Sequence, residues 1–248
     1  MTLPLQGKRA LVTGAGNGIG QATAIELARR GANLSLIDVA SSTETADTII
    51  ATGRDCISIS ADVGDEDQAA AAVNKSLAGL GGLDILVNCA GIIIEKPLLE
   101  TTADEFDRIV RVNLRGVFLM GREGIAAMKQ QGLGGRVINI ASELAYLGRA
   151  EFSAYCATKS AILGLTRSWA REFAPEILVN TVAPGPVDTP MLSIGSMSQE
   201  WRDKETDIPL GRVGRPDEIA SVIAFLAGPE ATFITGQTLS PNGGAVML

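Results

Sequence analysis

Short runs of mostly apolar, often β-branched residues recur along the chain at 9–13, 33–38, 56–60, 84–88, 136–141, 178–182 and 237–240. They are continuous rather than alternating, the pattern of strands covered on both faces. Between them, 18–30, 42–52, 65–79, 102–131, 152–173 and 216–227 carry helical periodicity. Local signals mark their ends: Asp65 with Gln68 and Thr102 with Glu105 have the spacing of capping boxes, Pro216 opens the last helix, and Gly228-Pro229 closes it. Strand and helix alternate with no linker, charge run or low-complexity tract between them. The expected fold is therefore α/β: a single doubly wound parallel sheet of about seven strands with helices on both faces, forming one domain over 1–248. Residues 184–214 break the pattern with four prolines, Met191, Met197 and Trp201. A loop of that length in a compact domain is a lid or is disordered, and a lid over about 185–214 is the favoured reading.

Composition removes whole classes of chemistry. The 248 residues contain no histidine, so a Ser-His-Asp triad, an HExxH zinc site and a His-ligated haem are excluded. Cys56, Cys89 and Cys156 are odd in number and widely spaced, which argues against a disulfide framework or structural zinc and for small buried side chains; no metal site is expected. No run approaches the roughly 18 apolar residues of a membrane span, and the first nine residues lack the layout of a signal peptide. A soluble, cytoplasmic protein follows as the expectation. The net charge of −7, with no basic cluster longer than two residues, argues against nucleic acid as a partner.

Candidate chemistry begins after the first strand, where Thr13-Gly14-Ala15-Gly16-Asn17-Gly18-Ile19-Gly20 opens directly into a helix. Glycines there let a phosphate approach the main chain, and the helix N-terminus attracts the anion. Asp38 ends the second strand, where a carboxylate accepts hydrogen bonds from both hydroxyls of an adenosine ribose. A 2′-phosphate about 4 Å away would be repelled by about 4 kcal/mol per charge at an effective dielectric near 20. No Arg or Lys stands in 15–19 or 39–42 to offset this, so NAD is the expected cofactor. The alternative is an Asp that only caps the following turn. Further on, Tyr155 and Lys159 share one face of a helix at i and i+4, and Ser142 sits at the carboxyl end of the 136–141 strand, where open α/β sheets bind ligands.

The glycine spacing is not G-x-G-x-x-G. Thr13-Gly14-x-x-x-Gly18-x-Gly20 with Ser142 and Tyr155-x-x-x-Lys159 instead resembles the short-chain dehydrogenase/reductase family, which has a Rossmann fold. More of its marks follow in order. Asn88-Cys89-Ala90-Gly91 departs from the family's Asn-Asn-Ala-Gly only at Cys89. Asn113 matches its fourth catalytic position, Asp62-Val63 its adenine contact, and Pro184-Gly185-Pro186-Val187-Asp188-Thr189 its nicotinamide-binding turn. The resemblance runs from Gly7 to Gly244. It implies a catalytic set of Asn113, Ser142, Tyr155 and Lys159. It also implies a cofactor site of Gly14, Asn17, Gly18, Ile19, Gly20, Asp38, Asp62, Val63, Asn88, Ala90, Gly91, Tyr155, Lys159, Pro184, Gly185, Val187 and Thr189.

Oxidising an alcohol needs a base for the hydroxyl proton, and a free phenol with pKa near 10 is a poor one at neutral pH. An adjacent ammonium and a positive nicotinamide favour phenolate, and a shift of roughly three units takes about 4 kcal/mol. Lys159 is expected to supply much of it. By the resemblance, Lys159 also binds the nicotinamide ribose, Ser142 holds the substrate oxygen, and Asn113 helps carry a water-linked proton path.

Substrate walls are expected from Ser142, Glu143, Leu144, Arg149 and Tyr155, from Ile92, Ile93, Ile94 and Glu95, and from 191–201. Whether Glu143 faces the pocket or solvent is left open. These walls suit a small alcohol or ketone with polar substituents, such as a polyol, sugar or hydroxy acid. The alternative within the family is a 3-oxoacyl-acyl-carrier-protein reductase, suggested by the ending Gly236-Gln237-Thr238-Leu239 with Asn242-Gly243-Gly244. Leu133 and Glu176, at positions where members serving that carrier place arginines, count against it, as does Asp38. A dinucleotide-sensing module is disfavoured because Ser142, Tyr155, Lys159 and Asn113 are all present. The family also implies a homotetramer through the 102–131 and 152–173 helices and through the last helix and strand; the apolar tail 245–248 suits burial, against a neighbour or within its own subunit.

Overall fold

A computed structural model describes residues 2–247 of the chain; Met1 and Leu248, which begin and end the two terminal segments discussed above, lie outside the described residues. Seven parallel strands form one sheet: β1 (Arg9–Thr13), β2 (Asn33–Asp38), β3 (Cys56–Ser60), β4 (Ile85–Asn88), β5 (Gly135–Ile140), β6 (Ile177–Val182) and β7 (Thr238–Leu239). Their order is β3-β2-β1-β4-β5-β6-β7, so the direction of winding reverses between β1 and β4, as in a Rossmann fold. β7 is shorter than the periodicity suggests because it is an edge strand, paired only through Thr181 with Thr238 and Val182 with Leu239.

Both faces are covered. Ala10 and Val12 of β1, Ile85 and Val87 of β4, and Ile138 and Ile140 of β5 pack with α1 (Gly18–Arg29) and α9 (Pro216–Ala227). The alternate residues Leu11, Leu86, Val137 and Val179 pack on the opposite side with α3 (Glu66–Leu80), α5 (Gly116–Gln131) and α7 (Ser153–Phe173). The period-2 alternation of a strand thus feeds two apolar cores, which is why these strands read as apolar throughout. α2 (Thr43–Ile50) links β2 to β3.

Two segments differ from the sequence pattern. The helix expected over 102–131 divides into α4 (Ala103–Val110), a π-helical turn at Arg111–Arg115, and α5, all in one continuous path. The wider turn surrounds Asn113, whose side chain is drawn into bonds with another segment. Residues 184–214 contain a 3₁₀ turn (Ile194–Ser196) and α8 (Gln199–Thr206). Ser198 caps α8 by accepting the Trp201 N–H at 3.3 Å, a local signal present in Ser198-x-x-Trp201. A four-residue helix, α6 (Leu144–Leu147), follows Ser142.

α5 meets the Tyr155 helix, α7, at Gly121 and Trp169. Gly121 makes that approach possible: a Cβ there would overlap the Trp169 indole ring, itself buried in the same core. Gly121→Ala is expected to lower unfolding free energy by about 2 kcal/mol through overpacking, despite the better helix propensity of alanine. Urea denaturation at neutral pH checks this, and an unchanged or raised midpoint would mean that the indole moves freely.

Candidate active site

The site lies at the carboxyl ends of β1, β4, β5 and β6, where the sheet reverses its winding. Thr13 ends β1, and its hydroxyl accepts the N–H groups of both Cys89 and Ala90 at 3.0 Å. This clamps the loop after β4 onto the glycine turn. Gly14, with φ of +66°, lies so close that a Cβ would come within 2.8 Å of Ala90 Cα. A Cβ on Gly20 would run into the Gly14 carbonyl, so α1 can start this tightly only without side chains at those positions.

At the start of α1, Asn17 makes no side-chain cap and the first turn holds no acidic residue. The free N–H groups therefore face a cavity of about 570 Å³ with nothing anionic of their own to satisfy them. Asp38 stands on the same wall. Its carboxylate accepts Gly16 N–H and Ala40 N–H, each at 2.9 Å, so it does cap the following turn while also lining the cavity. A carboxylate has about four acceptor positions, and two remain for ligand hydroxyls. Asp62 and Val63 form the next part of the wall; Asp62 accepts Gly64 N–H at 2.8 Å and pairs with Arg111 at 2.8 Å. The glycine cradle, open helix end and strand-end carboxylate together fit a dinucleotide.

Gly14, Asn17, Gly18, Ile19, Gly20, Ala90, Gly91, Pro184, Gly185, Val187 and Thr189 all line this cavity, as do Ser142, Glu143, Leu144, Tyr155 and Lys159. Three expected site residues do not. Asn88, buried at the end of β4, donates from its amide to Asn139 Oδ1 at 2.9 Å, and Asn139 in turn donates to Thr166 on α7. This chain of bonds ties the Tyr155 helix to β4 and β5. Asn113 is fully buried and clamps the Ile92 main chain, accepting its N–H at 2.8 Å and donating to its carbonyl at 2.9 Å. At Ile94 the wall is formed instead by its neighbours Ile93 and Glu95. Arg108, Arg111 and Glu205 line the cavity without having been picked out from the sequence. Glu205 sits in the polar helix Gln199–Thr206, which reads as fully solvated, and nothing local betrays its burial.

Burial dominates the electrostatics at the reacting end. Lys159 donates from Nζ to the Ile140 carbonyl at 2.9 Å, and loss of solvent pushes its pKa down to about 8. Burial pushes the Tyr155 phenol above its ordinary value, with the Glu143 charge adding to the effect and Ser142 opposing it. In the protein alone burial outweighs the expected lowering: the Lys159 ammonium, 5.6 Å from the ring centre, is directed at the Ile140 carbonyl. Cys89, at the position where the sequence departs from Asn-Asn-Ala-Gly, is half-buried, as are Cys56 and Cys156, rather than fully buried as expected; loss of solvent pushes its thiol up to about 12.

Around Tyr155, Leu144, Phe152, Ile93 and Cys156 form a small apolar wall. Against it stand three ionisable groups. Arg149 pairs with Glu205 at 2.7 Å and lies between the rings of Phe152 and Trp201, 5.2 and 4.9 Å from their centres. This holds α8 across the cavity mouth. Glu143 is 7% exposed, which settles its orientation, and it belongs to no ion pair among the described residues. Its Oε2 accepts from Ser142 Oγ at 3.2 Å. Burial pushes its pKa up to about 7.

A family model described as enoyl-(acyl carrier protein) reductase matches residues 14–246. A short-chain dehydrogenase/reductase of Armillaria gallica is 43% identical, covering 97% of both chains. The 3-oxoacyl-[acyl-carrier-protein] reductase FabG of Staphylococcus aureus is 39% identical over 97% of this chain and 98% of its own. The 2-dehydro-3-deoxy-D-gluconate 5-dehydrogenase of Dickeya dadantii is 37% identical over 98% and 97%. Among solved structures, a blue fluorescent protein from a metagenomic library in complex with NADPH superposes with a TM-score of 0.92 at 38% identity, covering 98% of this chain and all of that one.

The raised carboxyl of Glu143 has a consequence for stability. Its folded value of about 7 exceeds the ordinary 4.5, so the folded state holds the proton more tightly than the unfolded chain. The stability this gives is fully present below pH 4.5 and is lost as pH rises to about 7, by about 3 kcal/mol. Glu143→Gln, which does not titrate, is expected to gain about that much relative to the parent between pH 4.5 and 8. Urea midpoints of the two proteins at both pH values check it; a constant difference would place the carboxyl in water.

Proposed function

Because the chain belongs to the short-chain dehydrogenase/reductase family and is an oxidoreductase of that kind, we propose that it interconverts a secondary alcohol and a ketone using NAD(H). The substrate is a small polar one, such as a polyol, sugar or hydroxy acid. The reading rests on one observation above all: Ser142, Tyr155 and Lys159 line the same cavity as the glycine turn and Asp38. The whole chain acts as one cofactor-binding and catalytic unit, with residues 185–214 as a lid held through Arg149 and Glu205. Exposed Phe106 and Phe118 on α4 and α5 support assembly into a tetramer through those helices.

The oxidised nicotinamide, when bound, supplies the hydride acceptor and a positive charge. Tyr155 takes the hydroxyl proton of the alcohol, and Ser142 holds the same oxygen by a hydrogen bond. Lys159 stands behind the phenol, its pKa of about 8 letting it hold or release a proton near neutrality. Burial opposes phenolate formation, so proton removal is favoured only when a positive charge lies beside the ring. That coupling keeps the base quiet until cofactor is in place. Asn113 is a positioning residue: its amide, taken up by Ile92, fixes the main chain beside Gly91 and Lys159.

The FabG relative favours 3-oxoacyl-acyl-carrier-protein reduction as a second reading. Leu133 and Glu176 at the expected arginine positions, the net charge of −7 and the carboxylate of Asp38 weigh against it.

Asp38 generates the cofactor prediction. NADH is expected to bind about tenfold or more tighter than NADPH, and Asp38→Ala to bring the two within a few-fold. Fluorescence titration of both nucleotides decides; tighter NADPH in the parent protein sinks the NAD assignment. Tyr155→Phe is expected to lower kcat/KM by about 10³-fold while NADH affinity stays within about threefold. Substantial residual turnover would assign the base elsewhere.

A further inference from the structure

Of the three charged side chains that stand against the apolar wall around Tyr155, two neutralise each other and one has no counter-ion among the described residues. Arg149 and Glu205 form a 2.7 Å pair, while Glu143 is buried on the cavity wall beside Ser142. We infer that Glu143 makes this site selective for vicinal diols, its carboxyl accepting a hydrogen bond from a hydroxyl on the carbon next to the one oxidised. The inference rests on the oxidoreductase reading above.

The geometry supports that substrate class. Ser142 Oγ, which holds the reacting oxygen, and Glu143 Oε2 are 3.2 Å apart. Two gauche oxygens of a 1,2-diol are separated by about one hydrogen-bond length, roughly 2.8 Å, so the two side chains can each engage one oxygen. The remaining wall near Tyr155 is apolar, from Ile93, Leu144, Phe152 and Cys156, which suits short alkyl flanks. A second hydroxyl replaces the solvent that the buried carboxyl has lost, and a mono-alcohol leaves it without that donor. A carboxylate on the substrate would meet Glu143 with like charge, and Arg149 is already engaged. An ammonium would face Lys159 and the positive nicotinamide.

The reaction balances simply. The C–H bond of one carbinol breaks with its electron pair, which passes as hydride to oxidised nicotinamide, and the O–H proton goes to Tyr155. A 1,2-diol becomes an α-hydroxyketone, and the second hydroxyl is unchanged. The groups facing Glu143 are Tyr155 and Cys156 on α7, Arg149 in the preceding loop, and Glu205 on α8. Protonation of Glu143 weakens it as an acceptor, and its pKa of about 7 places that change within the working range. Titration of Tyr155 or Lys159 affects diol and mono-alcohol alike and cancels in their ratio.

The test is the ratio of kcat/KM for matched pairs with NAD⁺: butane-2,3-diol against butan-2-ol, and propane-1,2-diol against propan-2-ol. The intact protein is expected to favour each diol by about tenfold or more, with the ratio rising from pH 6 to pH 8. Glu143→Leu is expected to bring the ratio to within about threefold of unity, whatever happens to absolute rates. Glu143→Gln, which conserves shape and secures a folded control, should lower the ratio partway and abolish its pH dependence. A ratio near unity in the intact protein, or one that survives Glu143→Leu, overturns the inference while leaving the oxidoreductase reading standing. So does better turnover of 1-aminopropan-2-ol or lactate than of propane-1,2-diol. No NADH from any of these alcohols overturns both.

Discussion

The site depends on one close approach. Where the sheet reverses direction, the Thr13 hydroxyl gathers two main-chain N–H groups from the loop after β4, and Gly14 lets the two backbones nearly touch. That contact joins the half of the sheet that presents Asp38 and Asp62 to the half that presents Ser142 and Tyr155. Its effect extends sideways through the same loop. Asn113 grips Ile92, and to do so the helix from α4 to α5 accepts a π turn. A hydrogen-bond defect in one helix thus sets the wall of the cavity opposite α1.

A chain without histidine must move protons with groups that are either too basic or too acidic in water. Here desolvation brings two of them toward neutrality: Lys159 falls to about 8 and Glu143 rises to about 7. Tyr155 moves the other way, because the same burial penalises phenolate. Desolvation alone therefore opposes phenolate, and a positive charge beside the ring would offset it.

Much of this was legible beforehand, for identifiable reasons. Strands covered on both faces leave an unbroken apolar run, so all seven were visible to within a residue at each end, except that the edge strand β7 is half its expected length. The glycine turn, Asp38, Ser142, Tyr155 and Lys159 were legible because each must sit at a strand end or a helix start. The bonds that Asn88 and Asn113 make to another amide and to the Ile92 main chain were not legible, because a buried amide looks, in sequence, like any polar residue near a motif. Arg111 and Glu205 were invisible because their partners, Asp62 and Arg149, lie 49 and 56 positions away in the chain. Long-range ion pairs leave no local pattern.

The helix across the cavity mouth is held by polar contacts rather than by an apolar face. α8 has a strongly polar sequence and lacks an apolar stripe that would dock it by hydrophobic burial alone. It is held instead by Glu205 on Arg149 and by Trp201 stacked on the same guanidinium, both at the cavity mouth. Ion pairs of this kind gain little when wet and more when water is excluded. Here the Arg149–Glu205 pair is already shielded without a ligand, its side chains 23% and 7% exposed, so a strongly polar helix is held across the cavity mouth by contacts that burial strengthens.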